Sequence, residues 1–260
     1  MKPRTPVFEP RPAIIGHRGL GGGTRLGLLE NTLDSFVAAA EHGLVWVELD
    51  VRRSSDDGLV VHHNPTTDDS AFVIEQTTKD LAADGMSLLD KVLDALPAEV
   101  AVNIDVKTEL EDAVTPPRRR TGALLVPVLR RELRRRRLFV SSFDPALLLY
   151  LRDEVPAVPL GLLTWVDFPL RQAVPAAAHL GMQVVGLHVG SFGPNRVEPG
   201  PVHRPAEYAV GIAHEAGLEV AAWCPSAETC TNLVQAGVDA MIVNDVPGVL
   251  AALGHVAGDE

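Results

Sequence analysis

Two carboxylates lie within one short apolar run of the sequence, WVELDV at positions 46–51. Side chains along a strand alternate with a period of two, so Glu48 and Asp50 must point to the same face. Neighbouring carboxylates repel each other unless a positive charge lies between them. A divalent cation meets that need, and oxygen ligands favour Mg²⁺, Ca²⁺ or Mn²⁺. The alternative is an exposed strand end at which water solvates both groups.

Further polar side chains lie within or directly after other apolar runs. These candidates are His17 and Arg18 after the run at 13–16, Asn103, Asp105 and Lys107 in and after the run at 100–106, and Trp223 at the end of the run at 218–223. In such a set a metal and two cations would bind a phosphate ester, and histidines would move protons. Two alternatives remain: Lys107 as an ordinary ion-pair partner of Asp105, and Trp223 as a core residue.

The elements that would position these residues alternate between strand and helix. The predicted strands are 13–16, 45–51, 100–106, 138–142, 159–164, 183–189, 218–223 and 239–243. The predicted helices lie near 32–42, 87–96, 122–136, 145–152, 169–180, 205–216 and 226–236. This alternation favours an α/β fold, a (β/α)8 TIM barrel, in which functional groups lie at the C-terminal ends of the strands. A doubly wound open sheet is the alternative.

The segments between the strands complete the expected organisation of residues 1–260 as one domain. Asp57-Gly58 predicts a hairpin, whose antiparallel return would bring His62 or His63 beside the carboxylates. Residues 66–96 would form a small cap-like insertion after this hairpin, and the proline-rich residues 1–12 an N-terminal arm. The arginine-rich stretch at 130–137 is interpreted as a solvated helix face.

Composition excludes several classes of partner. The formal net charge of −11 argues against nucleic acid and anionic membrane surfaces. No apolar run approaches the length of a membrane span, and no signal peptide is recognisable, so we expect no stable membrane insertion. Cys224 and Cys230 make no disulfide framework, and we expect free thiols in a cytoplasmic protein. The oligomeric state is left open.

Six groups of residues occur in the order typical of glycerophosphodiester phosphodiesterases. They are His17-Arg18-Gly19, Glu30-Asn31-Thr32, Glu48-Leu49-Asp50-Val51, Asp57-Gly58, Val60-Val61-His62-His63-Asn64-Pro65-Thr66 and Asn103-Ile104-Asp105-Val106-Lys107. Ser141-Ser142-Phe143, Trp223 and Val243-Asn244-Asp245-Val246-Pro247 resemble later motifs of that family. The resemblance spans roughly residues 13 to 250. It implies a phosphodiesterase barrel that hydrolyses a glycerophosphodiester to sn-glycerol 3-phosphate and an alcohol.

The resemblance also implies a role for each matching residue. Glu48, Asp50 and Asp105 would bind one divalent cation, Mg²⁺ or Ca²⁺ and, as a further candidate, Mn²⁺. The expected acid and base are His17 and His63. The substrate would contact Arg18 and Lys107 through its phosphoryl oxygens, with Trp223 and Glu30 as further substrate-binding residues.

Three departures from the family pattern keep other functions open. Asp105 stands where the family usually has glutamate, Asn64 where it usually has aspartate, and the loop 20–29 is longer and richer in glycine. A phospholipase D-like enzyme acting on lysolipids is one alternative, with Leu20, Leu26, Leu28 and Leu29 as part of an apolar rim. The other is a catalytically impaired barrel that binds a phosphodiester, for which Asp105 and Asn64 are the only grounds.

Overall fold

A computed structural model describes residues 5–256, so residues 1–4 of the predicted arm lie outside it. Its strands are β1 Ala13–Gly16, β2 Thr24–Arg25, β3 Leu28–Leu29, β4 Trp46–Arg53, β5 Leu59–Val61, β6 Ser87–Leu88, β7 Ala101–Val106, β8 Leu138–Ser142, β9 Leu160–Leu163, β10 Val184–His188, β11 Glu219–Trp223 and β12 Ala240–Val243. Its α-helices are α1 Leu33–Glu41, α2 Thr78–Ala83, α3 Leu89–Ala95, α4 Thr121–Glu132, α5 Pro145–Glu154, α6 Leu170–His179, α7 Ala206–Glu215, α8 Ala227–Gln235 and α9 Val246–Val256.

Eight parallel strands close into a barrel. Strand β1 pairs in parallel with β12 on one side and with β4 on the other, and β4 continues through β7, β8, β9, β10 and β11 back to β12. The predicted (β/α)8 barrel is therefore confirmed, and the open sheet is wrong. Because the strands are parallel, all eight carry their C-terminal ends at the same mouth.

Strand β4 explains how the barrel divides its side chains. Val47, Leu49 and Val51 pack in the main core between the strands and the helices. Trp46 belongs instead to a second cluster with residues of β1, β8, β10, β11 and β12, as expected for the lumen. Alternation then places Glu48 and Asp50 on the same side as Trp46, further toward the mouth.

The N-terminal arm, within its described part, packs on the barrel. Phe8 is fully buried, and its ring meets the rings of Trp46 and Phe139 edge to face, with centroids 5.5 and 5.4 Å apart. Such aromatic contacts add stabilisation beyond the area they bury. This part of the arm therefore belongs to the lumen cluster of the fold.

The hairpin prediction is confirmed, because β5 pairs antiparallel with β4 and β6 extends that pairing. Within residues 66–96, the sequence missed α2, and Ser87–Leu88 are strand where a helix was expected to begin. Helix α2 has six residues, too few for a helical spacing of apolar positions to be recognised in the sequence. Its local signal is the N-cap, where the Thr77 side chain accepts a hydrogen bond from the Asp80 N–H.

Two residues expected at the surface are buried. Leu20, assigned to an apolar rim, is fully buried in the main core, and its N–H donates to the Ser35 hydroxyl at 2.9 Å. Arg136, assigned to a solvated helix face, is also buried and pairs with Glu132 at 2.8 Å. Both errors have one cause: residue type alone does not reveal which loop or helix covers a position. Among the residues described, no helix has the length and apolar character needed to cross a bilayer.

Candidate active site

Three carboxylates converge at the mouth of the barrel. Glu48 and Asp50 come from β4, and Asp105 comes from β7, directly opposite Asp50 in the strand register. Oxygen atoms of all three lie within 4.8 Å of one another, and all three residues are buried. The predicted shared face is therefore present, and the solvated strand end is wrong.

Two cations lie against this triad. The Lys107 ammonium is 2.9 Å from Asp50 Oδ1 and 2.5 Å from Asp105 Oδ2. The Arg18 guanidinium is 3.3 Å from Asp50 Oδ2, while the backbone N–H of Arg18 donates to Glu48 at 2.9 Å. Lys107 thus does pair with Asp105, as one alternative proposed, but it also contacts Asp50 and therefore belongs to the site.

The carboxylates differ in how well their charge is compensated. Burial raises the pKa of Glu48 well above its usual value, and the neighbouring Asp50 and Asp105 raise it further. Burial alone would also raise the pKa of Asp50, but Lys107 and Arg18 outweigh it and lower that pKa. Burial opposes the charge of Lys107, yet Asp105 and Asp50 raise its pKa overall. Negative charge is therefore in excess near Glu48.

This donor set fits a divalent cation. Asp105 Oδ1 is buried and has no hydrogen-bond partner in the described structure, so a ligand position is open there. The three groups supply oxygen donors, which hard cations such as Mg²⁺, Ca²⁺ and Mn²⁺ prefer. A bound cation would also remove the repulsion that raises the pKa of Glu48. The identity of the ion does not follow from this geometry.

Each candidate histidine is oriented by an asparagine. The Nδ1 atom of His17 pairs with Oδ1 of Asn244, and Nδ1 of His63 pairs with Oδ1 of Asn64 at 2.8 Å. An amide oxygen only accepts, so each imidazole carries its proton on Nδ1 and leaves Nε2 for other partners. The Nε2 atom of His17 faces Glu48, at 3.8 Å from Oε2.

The two imidazoles also differ in acidity. Burial lowers the pKa of His17, but contact with the Cys224 thiol and the Asp50 charge raise it overall. The pKa of His63 is lowered, chiefly by burial and by the positive charge of Arg18, against the opposing charge of Asp50.

A cavity of about 320 Å³ joins these groups. Both histidines, Arg18 and Lys107 line it together with Glu48 and Asp105. One wall is aromatic: the rings of Phe143 and Trp165 stack with centroids 4.5 Å apart, and Trp223 meets Phe143 edge to face at 6.1 Å. Trp223 therefore lies at the cavity wall, with its ring also packed on the lumen cluster.

Glu30 lies beside the cavity and acts on its neighbours. Its carboxylate accepts a hydrogen bond from the Arg18 guanidinium at 2.6 Å and another from the Gly23 backbone N–H. It lines a second cavity of about 440 Å³, which shares His63 with the first. Through these contacts Glu30 orients Arg18 and fixes the position of the loop that contains Gly23.

Three residues at the site have a left-handed backbone that side chains rarely adopt. Arg18 and Asn31 both have φ of 56°, and Cys224 has φ of 58°. Asn31 donates from Nδ2 to Asp50 at 2.9 Å, and the Cys224 sulfur lies 3.9 Å from His17 Nδ1. Strain of this kind persists where the surrounding contacts determine the backbone, and such places cluster at functional sites.

A family model described as "Glycerophosphoryl diester phosphodiesterase family" matches residues 17–247, most of the chain. The chain belongs to this family. The match begins at His17 and includes every candidate residue named above, and the resemblance stated from the sequence motifs is confirmed.

Solved structures of glycerophosphodiester phosphodiesterases and of a related phosphodiesterase have a similar fold along nearly the whole chain. A glycerophosphodiester phosphodiesterase from Thermotoga maritima is 21% identical, with a TM-score of 0.70 over 95% of this chain and 100% of that one. A phosphodiesterase from Oleispira antarctica, solved in complex with the product sn-glycerol-3-phosphate, is 22% identical, with a TM-score of 0.74 over 95% of this chain and 99% of that one. At these identities the likeness establishes the fold.

Curated relatives match shorter parts. A glycerophosphocholine phosphodiesterase of Schizosaccharomyces pombe is 40% identical over 80 residues, covering 29% of this chain and 6% of that protein. One of Rattus norvegicus is 28% identical over 213 residues, covering 60% and 32%. The chain thus spans at most about a third of the length of these two relatives.

Sequence reasoning assigned no role to several residues that line or support the site of this glycerophosphoryl diester phosphodiesterase family member. They are Asn31, Arg52, Phe143, Trp165, Cys224 and Asn244, of which Asn31, Phe143 and Asn244 stood within the family-like motifs. Phe143, Trp165, Cys224 and Asn244 stand one or two positions beyond a barrel strand, where functional groups of this fold collect. Arg52 carried a different signal, since it continues the period-two face of Glu48 and Asp50.

Proposed function

We propose that this protein hydrolyses glycerophosphodiesters to sn-glycerol 3-phosphate and an alcohol, using one divalent cation. The observation that carries the proposal is the convergence of Glu48, Asp105, Arg18, Lys107 and two histidines on a single cavity, with Asp50 in the same carboxylate group. Family membership supports the reaction class. The proposal treats residues 1–260 as one catalytic domain, with 66–96 as a small cap-like insertion.

The proposed roles follow from charge and position. Glu48, Asp50 and Asp105 hold the cation, which when bound would polarise a phosphoryl oxygen as a Lewis acid. Arg18 and Lys107 each present N–H donors to the cavity and bind the remaining phosphoryl oxygens. This arrangement gives an anionic substrate a local positive site on a chain whose net charge is −11.

The two histidines divide the proton transfers. One removes the proton of the attacking hydroxyl, and the other protonates the oxygen of the departing alcohol. Because an asparagine oxygen holds each Nδ1 proton, Nε2 is the atom that exchanges protons on both rings. The attacking hydroxyl is either water or the neighbouring glycerol hydroxyl, and product analysis for a cyclic phosphate distinguishes the two.

The aromatic wall of Phe143, Trp165 and Trp223 contacts the organic part of the substrate. Quaternary ammonium groups bind well over aromatic faces, and the curated relatives are named glycerophosphocholine phosphodiesterases. We therefore propose glycerophosphocholine as a substrate. The Trp165→Ala variant should lose more kcat/KM for glycerophosphocholine than for glycerophosphoglycerol, whose alcohol part carries no cationic group; equal losses would contradict choline recognition by this wall.

The phospholipase D-like alternative has less support than before. Leu20 is buried, which removes one of the four residues assigned to an apolar rim, although Leu26 and Leu29 are well exposed. The impaired-barrel alternative rested on Asp105 and Asn64. Asp105 reaches the carboxylate cluster, and Asn64 Oδ1 accepts from His63, so both residues fill supporting positions.

The deciding experiment measures release of sn-glycerol 3-phosphate from several glycerophosphodiesters, with Mg²⁺, Ca²⁺, Mn²⁺ or a chelator. We expect metal-dependent release, lost in His17→Ala and retained in the control His42→Ala, since His42 is exposed at the end of α1. Release that survives exhaustive chelation would remove the cation from the mechanism. No release with any metal, but turnover of lysolipids, would favour the phospholipase D-like function. The cytoplasmic location stays a prediction.

A further inference from the structure

Arg52 is the third polar residue on the lumen face of β4, after Glu48 and Asp50. It is buried and lines the active-site cavity. Its guanidinium nevertheless points at main chain: Nε and Nη2 donate to the carbonyl oxygen of His63 at 3.0 and 2.7 Å. Two bonds that converge from one planar group on a single oxygen fix both the distance and the orientation of the peptide they bind.

The peptide group that Arg52 binds belongs to His63, a proposed proton-transfer residue. His63 lies two positions beyond the end of β5, where the chain has left the sheet, so strand pairing no longer determines its path. The hydrogen bond from the His62 N–H to the backbone carbonyl oxygen of Asp50, at 3.1 Å, holds the preceding residue, and Arg52 holds His63 itself. The position of the imidazole therefore depends on the Arg52 contact.

Glu109 completes the arrangement on the other side of Arg52. Its carboxylate accepts a hydrogen bond from Arg52 Nη1, and its side chain is buried. A planar guanidinium held at a third nitrogen cannot rotate away from the His63 carbonyl. The buried carboxylate also compensates a charge that would otherwise be costly to bury.

The next residue in the chain provides a natural comparison. Arg53 is equally buried, and it also binds the segment after β7, through Asp112 at 3.0 Å. It contacts neither His63 nor the active-site cavity, because alternation turns it to the opposite face of β4. Both arginines thus lie on β4, are buried and pair with a carboxylate after β7, but Arg52 binds the His63 carbonyl and Arg53 does not.

We propose that the Arg52–Glu109 pair is a positioning device for His63, placing its imidazole for proton transfer. This inference rests on the proposed function, since it assumes that His63 moves a proton. Arg52 acts through His63 and is a positioning residue. Loss of the Arg52 hydrogen bonds to His63 would displace the imidazole, and displacements near 1 Å cost about 100-fold in rate.

The test is a double-mutant cycle in the metal-loaded protein, with glycerophosphocholine as the probe. A lysine at position 52 keeps the charge but lacks the planar pair of N–H donors that converges on the His63 carbonyl oxygen. We expect Arg52→Lys to lower kcat by about 10- to 100-fold with KM within about twofold. Arg53→Lys, the matched control, should keep kcat within about twofold of the wild type. In the His63→Ala background, Arg52→Lys should cause no further loss, because residues acting as a unit are not additive.

Each contrary outcome has a distinct meaning. If His63→Ala retains wild-type kcat, the histidine assignment of the proposed function fails. If His63→Ala is impaired but Arg52→Lys keeps full kcat, or if the two losses multiply, the positioning inference fails while the function stands. Thermal unfolding checks that each variant folds. Should Arg52→Lys not fold, Glu109→Gln replaces it in the same cycle, and unchanged kcat in that variant would also overturn the inference.

Discussion

Two charge clusters in this protein are built differently, although each contains buried carboxylates. The mouth cluster comprises Glu48, Asp50, Asp105, Arg18 and Lys107, and it sets three carboxylates against two cations. The helix cluster lies around the end of α4 and comprises Glu132, Asp90, Asp94, Arg131, Arg135 and Arg136, with three charges of each sign.

The buried Glu132–Arg136 pair at the centre of the helix cluster is well satisfied. Glu132 accepts hydrogen bonds from three arginines, and Arg136 also donates to the backbone carbonyls of Leu93 and Leu96 at 2.8 and 3.2 Å. In the mouth cluster, Asp105 Oδ1 has no partner in the described structure, and the pKa of Glu48 is raised. A structural cluster balances its charge, whereas a site that receives a cation leaves negative charge uncompensated.

The sharpest way to break this comparison is Glu48→Gln. The amide keeps the shape but removes a carboxylate that we propose as a cation ligand, and we expect activity to fall at least about 100-fold. The metal-free variant should be as stable as the wild type or more so, because repulsion with Asp50 and Asp105 is relieved. Activity assays and thermal unfolding with and without Mg²⁺ measure both effects. A cation-induced rise in Tm as large as that of the wild type would show that Glu48 is not a ligand.

Glu132→Ala should do the opposite. It leaves Arg136 buried without its carboxylate, and breaking a buried pair in this way costs about 3–5 kcal/mol of unfolding free energy. The kcat per folded molecule should stay unchanged, since α4 contributes no residue to the active-site cavity. Urea unfolding and active-site titration separate the two quantities. A loss of kcat without a loss of stability would contradict the view that the helix cluster serves stability and the mouth cluster serves catalysis.

The pH dependence of stability sharpens the comparison further. The native pKa of Glu48 is raised above its ordinary 4.5, so above that pH the native state binds more protons than the unfolded state. The unfolding free energy of chelated protein should therefore fall as the pH rises from 4.5 through the native pKa. Asp50, with its lowered pKa, acts in the opposite sense at more acidic pH.

Urea midpoints measured between pH 5 and about pH 8 would reveal the contribution of Glu48 as the difference between the wild type and Glu48→Gln. Saturating Mg²⁺ should remove most of that difference, because the bound cation keeps the carboxylate ionised. If the unfolding free energy changes with pH equally in the chelated wild type and chelated Glu48→Gln, the pKa of Glu48 is not raised in the native state.

The smallest expected effect concerns the two thiols, of which Cys224 lines the active-site cavity and Cys230 lies in the main core. Burial raises the pKa of Cys230, on α8, to about 11. Burial also opposes ionisation of Cys224, but its contact with His17 lowers the pKa of that thiol overall. We expect iodoacetamide to label Cys224 at least about tenfold faster, since the thiolate is the reactive form. Peptide mass spectrometry measures this ratio, with Cys224→Ser as the control; equal rates would contradict it.

Much of the fold and part of the site followed from local patterns. All eight barrel strands were predicted within two residues of their ends, because each is a short apolar run bounded by turns or helices. The shared face of Glu48 and Asp50 followed from the period of a strand, and the expectation that Asp105 lies near them followed from the barrel, whose strands end at one mouth. Helix α2 and the burial of Leu20 and Arg136 did not follow, since these depend on short elements and on the segments that cover them.

The sequence by itself determined which side chains share a strand face and which strand ends carry polar groups, because the period of two is a local property of the backbone. It also identified the family, through motifs spread over the chain. Only the tertiary structure decided which distant groups meet. The asparagine partner of His17 lies 227 positions away, and Arg52 reaches the His63 carbonyl through a loop path that no local pattern encodes. Strand register and loop packing set those contacts, and both arise only when the barrel closes.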